Sequence, residues 1–155
     1  MEELKKEYKI LQKKYNLPNF EDLDKEFEIR ALEVNKCGIL IKAILRVINN
    51  KVGIFLNYLE PVVSPPQQIM HYMIEYNNIS SEDKKPMYEF YKELSYLYHK
   101  DCRIELENEK EIAAQINEIW KKWPSILNKI KLALEKINEA WLKEKEKTKR
   151  NNYMG

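Results

Sequence analysis

The chain has 155 residues, 44% of them hydrophobic and 34% charged, and a formal net charge of +2 from 27 basic and 25 acidic side chains. That length suits one domain with a real core, and the balance excludes both wholesale disorder and a dedicated nucleic-acid binder, whose domains are markedly more basic. Three glycines and six prolines leave little material for the turns of an all-β fold, whereas abundant Leu, Ile, Lys and Glu are the composition of a helical protein.

In chain order, residues 3–15 place Leu4, Tyr8, Leu11 and Tyr15 on one helical stripe, which Asn16 and Pro18 stop. Asn19 then reads as the N-cap of a second helix with acidic residues in its first turn. From Phe20 the apolar positions Leu23, Phe27, Ala31, Val34, Gly38, Ile41, Leu45, Ile48, Val52, Phe55 and Leu59 recur at spacings of three and four. This predicts one long central helix, with a break near Asn49-Asn50 or Gly53 as the plausible interruption. Cys37–Ile48 is apolar almost all round, so the segment is expected to be largely buried. Glu60-Pro61 is expected to end it.

Ser64 with Gln67 forms a capping box, and Pro65 suits the first position of a helix running to about Tyr76. Ser80-Ser81-Glu82-Asp83 is a further start signal, with Pro86 expected to kink that helix or delay it. Asn108 with Glu111 caps the last helix, where Ile112, Ile116, Ile119 and Trp123 share a face. Pro124 is expected to bend or restart it, and Leu127, Ile130, Leu134, Ile137 and Trp141 to continue as a near-heptad seam. That seam is shorter than a coiled coil requires and predicts packing within the chain; the oligomeric state stays open. The fold expected is all-α, a single-domain bundle of about five or six helices over residues 1–142, with a frayed polar tail at 143–155.

The densest charged stretch is LPNFEDLDKEFEI, residues 17–29, with five carboxylates in eight residues. At about 100° per residue, Glu21, Asp24 and Glu28 fall on one exposed side, while Glu26 sits four residues before Arg30 and is placed to pair with it. Three carboxylates on one helix do not enclose Ca²⁺, which takes 6–8 oxygen ligands. A solvated face and a docking stripe for a basic partner are the two readings. Trp120 and Trp123 are likewise read as core or as anchors for a protein partner, because Trp is enriched in interface hot spots.

Other chemistries find little material. His71 and His99 lack Glu-x-x-His spacing and HExxH, so no metal and no cofactor is expected. Phosphate-binding glycine loops and the GxSxG elbow are missing. Cys37 and Cys102 form no CxxC, and the N-terminus has no apolar core of a signal peptide, which predicts a cytoplasmic protein with reduced thiols. No segment approaches the ~20 apolar residues of a membrane span.

Three functions follow, in order of preference. The first is a non-enzymatic helical protein that binds another macromolecule, most readily a protein, through Glu21, Asp24, Glu28, Trp120 or Trp123. The second is an RNA- or ribosome-associated factor using Lys84, Lys85, Tyr88, Lys92 and Lys100, whose interleaved rings and cations suit stacking on single-stranded bases. The third is a helical enzyme using His71 or His99. At LPNFEDLDKEFEI, Ile79-Ser80-Ser81-Glu82-Asp83-Lys84 and Trp123-Pro124 the chain resembles small all-helical hypothetical proteins of archaea. The resemblance implies an archaeal cytoplasmic helical protein and carries no function to any residue.

Overall fold

In the computed structural model, residues 2–32, 40–65 and 69–152 are described. They form six α-helices: α1 (Glu2–Tyr15), α2 (Phe20–Phe27), α3 (Leu40–Val63), α4 (Met70–Asn78), α5 (Ser81–Ile104) and α6 (Glu109–Asn152), with a 3₁₀ turn at Ile29–Ala31. No strand occurs among the described residues. Val34, Cys37, Gly38 and Gln67, all used in the sequence reading, lie outside them. The helices group into two compact units, Met1–Gly53 with Leu97–Pro124, and Ile54–Tyr96 with Ser125–Gly155.

In the first unit, α1 ends where Asn16 turns into the left-handed region at φ 53°, a conformation that Asn tolerates better than most residues. Asn19 occupies the N-cap position of α2 with extended backbone, but its side chain makes no cap hydrogen bond. Its Oδ1 instead accepts from Gln12 Nε2 at 3.1 Å. Leu23 and Phe27 then bury the inner face of α2.

The continuous helix expected from Phe20 onward does not form. Glu28 adopts φ 56° and closes α2 by donating its N–H to the Asp24 carbonyl at 2.7 Å. A β-carbon in that region costs roughly 1–2 kcal/mol. Asp24 supplies the compensation: its carboxylate accepts the Arg30 backbone N–H at 2.7 Å and the Arg30 Nε at 2.6 Å. Helical periodicity recorded the apolar face and was blind to this side-chain cap.

α3 runs without interruption through Asn49-Asn50 and Gly53, against expectation. Gly53 serves packing: a β-carbon there would stand 3.3 Å from the Tyr98 ring. Pro61 lies inside the last turn of α3 and does not end the helix, which runs on to Val63, where Ser64 donates its N–H to the Glu60 carbonyl at 2.8 Å. The capping box predicted from Ser64 does not start a helix at Pro65; α4 begins at Met70 after an uncapped Ile69. No residue of α4 is buried.

The start at Ser80 is as expected: Ser80 Oγ accepts the Asp83 N–H at 3.1 Å and donates to Asp83 Oδ2 at 2.8 Å. Asn108 likewise caps α6, accepting the N–H groups of Lys110 and Glu111 at 3.0 and 3.2 Å. Pro86 and Pro124 stand inside α5 and α6 without ending them. Each removes one helical hydrogen bond. Met87 and Phe90 after Pro86, and Trp123 and Ile126 around Pro124, are buried, and that packing holds the backbone helical across the defect.

The seam of α6 keeps the predicted Ile130 and is otherwise displaced by one residue. Ile126, Ile130, Ala133 and Ala140 are buried, while Leu134 and Trp141 are left well exposed. Alanine carries a weak hydropathy signal but lets a neighbouring backbone approach closely. The periodicity picks out the larger side chain beside each alanine, Leu134 next to Ala133 and Trp141 next to Ala140. Lys143–Asn152, expected as a frayed tail, continues α6. Its lysines grip the end of α4: Lys143 Nζ donates to the Asn78 carbonyl at 3.3 Å and Lys147 Nζ to Asn78 Oδ1 at 2.5 Å.

Candidate protein-binding groove

The acidic stripe proposed from LPNFEDLDKEFEI comes apart in three dimensions. Asp24 is 4% exposed and bound to Arg30, whose guanidinium holds the Asp24 carboxyl below the usual carboxylate range. Glu21 pairs with Lys5 at 3.1 Å, and Glu28 sits outside the helix. Glu26 does not meet Arg30; its carboxylate accepts the Trp123 indole N–H at 3.0 Å, and its backbone carbonyl accepts from Lys51. A docking stripe of three carboxylates therefore has no geometric basis.

Of the two tryptophans, Trp123 is core, 2% exposed, with its ring 4.5 Å from that of Phe27. Trp120 is half-buried and lines a cleft of about 310 Å³ with Asn16, Leu17, Pro18, Asn117 and Lys121. A smaller pocket of about 130 Å³ lies among Lys5, Phe20, Glu21, Asp24 and Arg30, where the opposite charges already engage one another.

Two of the four lysines of the RNA reading are paired with acids. Lys84 lies over the Tyr76 ring at 3.6 Å, and burial pulls its ammonium below the usual lysine range. Lys92 lies over Tyr88 and binds Glu89 at 2.7 Å. Lys100, in the first unit, binds Glu118 at 2.7 Å. His71 and His99 are exposed, each edge-on to the tyrosine beside it, and neither lines a described cavity. Among the described residues no group of three His, Cys, Asp or Glu side chains is placed to hold a metal ion, and no helix is long and apolar enough to cross a membrane.

A further concavity has no counterpart in the sequence-based expectations. In the second unit, α5 and α6 enclose a groove of about 690 Å³. Its apolar lining is Pro86, Met87, Phe90, Leu132 and Ala133. Met87, Phe90 and Ala133 are already buried, whereas Leu132 stands 54% exposed at the mouth. The walls are charged. Asp83, Glu89, Glu93 and Lys85 line the α5 side, and Lys129 and Lys136 the α6 side. Lys129 binds Glu93 across the groove and lies over the Phe90 ring at 5.4 Å. Lys136 reaches Asp83 at 3.7 Å and Glu139 at 3.3 Å. Such a site offers apolar contact below and orienting charge above, the arrangement that accepts the apolar stripe of a helix. The lone signals in the sequence were Pro86 beside Met87 and the off-seam Leu132.

Asp101 was also missed. It is 1% exposed, accepts from Gln115 Nε2 at 2.6 Å, and buries its other oxygen without a hydrogen-bond partner. Burial pushes its carboxyl up to about 7. No protein-family model, curated protein or solved structure matches the chain.

Proposed function

We propose that this chain is a helical protein-binding module whose contact surface is the α5/α6 groove. The observation that carries the reading is the apolar lining of Met87, Phe90, Leu132 and Ala133 framed by Lys129, Lys136, Glu89 and Glu93. Exposed leucine at the mouth of such a groove gains roughly 25 cal/mol per Å² of apolar surface when a partner covers it. The charged walls set orientation and on-rate rather than bulk affinity. The RNA reading is less favoured because Lys92 and Lys100, two of its cations, are occupied by Glu89 and Glu118.

The test is site-specific photo-cross-linking in the producing cells, with a benzophenone side chain at Leu132 and a control at the exposed Ile10. The expected result is a polypeptide adduct at Leu132 that is absent at Ile10 and weakened by Lys129→Glu. An RNA adduct at Leu132, or equal labelling at both positions, would overturn the proposal.

A further inference from the structure

The two walls of the groove differ in sign. Asp83, Glu89 and Glu93 outweigh Lys85 on α5, whereas the α6 residues that line it contribute Lys129 and Lys136 and no acid. The cross-groove pairs also fix levels along the helices. Glu93 stands level with Lys129, and Asp83 with Lys136, so α5 and α6 run antiparallel here.

From this division of charge we infer that the occupant of the groove is a second copy of the same chain. The inference rests on the reading of the groove as a protein-binding surface. An isologous dimer presents the same patch twice, and its symmetry axis decides which walls meet. A two-fold axis across the helices would set α5 on α5, acid against acid. A two-fold axis running along the groove sets α5 of one copy over α6 of the other and leaves the level of every residue unchanged. Glu93 of one copy then lies level with Lys129 of the other, and Asp83 with Lys136, so each ion pair has an alternative partner at the same height. Leu132, half outside the surface in one copy, drops toward Pro86 and Phe90 of the other. The result is four antiparallel-neighboured helix segments around a shared apolar seam, a packing that helices of this length adopt readily. A foreign helix satisfies the apolar lining equally well, but it must bring its own basic and acidic flanks in matching order; a second copy carries them by symmetry.

The experiment is sedimentation velocity of the full chain over a micromolar concentration series, with helicity of every variant checked by circular dichroism. The wild type is expected to dimerise, less tightly as salt rises. Leu132→Glu, at a half-exposed position that leaves the core intact, is expected to weaken the dimer by about tenfold or more. Asp83→Lys/Glu93→Lys and Lys129→Glu/Lys136→Glu are each expected to be monomeric alone, with like-charged walls facing one another. Mixed in equal amounts they are expected to form a heterodimer, because each wall then meets its opposite. A monomeric wild type overturns the inference, as does an equimolar mixture that stays monomeric. The two proposals fail separately. A monomeric wild type that still cross-links a different polypeptide at Leu132 removes the second copy and keeps the groove, whereas a monomer with no adduct removes both.

Discussion

Asp101→Asn isolates the energetic consequence of one buried carboxyl. Asp101 is nearly inaccessible, with Gln115 on one oxygen and nothing on the other, and burial raises its carboxyl from the ordinary 3.8 to about 7. The unfolded chain therefore releases this proton at lower pH than the folded chain does. Between those two values the unfolded state binds fewer protons, so stability falls as pH rises. The contribution of the protonated form is fully present below about 3.8 and lost by about 7. At 1.36 kcal/mol per unit, the span corresponds to a ceiling of about 4 kcal/mol. Lys100 and Glu118 act on the same carboxyl in opposite directions and reduce one another's influence. Asparagine keeps an oxygen for Gln115 and cannot ionise. Urea unfolding of both proteins from pH 4 to pH 8 is the assay. The two are expected to be similar near pH 4, and the variant to become more stable by up to about 4 kcal/mol near pH 8, most of the divergence falling between pH 4 and 7. A difference independent of pH would refute the reasoning, because it would place Asp101 ionised in the folded protein throughout.

Glu28→Gly removes the β-carbon from a left-handed residue and is expected to raise stability by about 0.5–1 kcal/mol, read as an upward shift in thermal midpoint. Asp24→Ala removes the cap from the Arg30 N–H and is expected to cost about 1–2 kcal/mol at neutral pH. Because Arg30 lowers the Asp24 carboxyl, that stabilisation exists above the unfolded value and is lost as acid protonates the folded group, so the cost should shrink in unfolding curves taken at low pH. Trp123→Phe keeps much of the ring packing but deprives Glu26 of the indole N–H, with an expected loss of about 1–3 kcal/mol by denaturant unfolding.

Much of the architecture was legible from local patterns. The caps at Ser80 and Asn108 act within three residues of themselves, and the face Ile112, Ile116, Ile119 and Trp123 is buried as its spacing required. The binding groove was far less legible. Its walls lie more than thirty residues apart in sequence, and Lys129 meets Glu93 because α5 and α6 fold back on one another. Nor do apolar spacings tell a residue that faces a core from one that rims a groove. Ala133 and Leu132 are neighbours in sequence, yet one is buried and the other projects outward.

By itself the sequence determined the helical class, most helix starts and the inward face of the first half of α6, because propensity, capping and amphipathic period operate within a few residues. Only the tertiary structure decided that α2 stops at Glu28, that α5 and α6 pass through their prolines, and that Ala133 and Ala140 rather than Leu134 and Trp141 complete the seam of α6. It alone decided that Asp24 is a cap and Asp101 a buried acid. In each case the deciding energy comes from a neighbour distant in sequence or from a side chain bonding to backbone: desolvation for Asp101, burial for Ala133 and Ala140, and flanking burial that outweighs the lost hydrogen bond at Pro86 and Pro124.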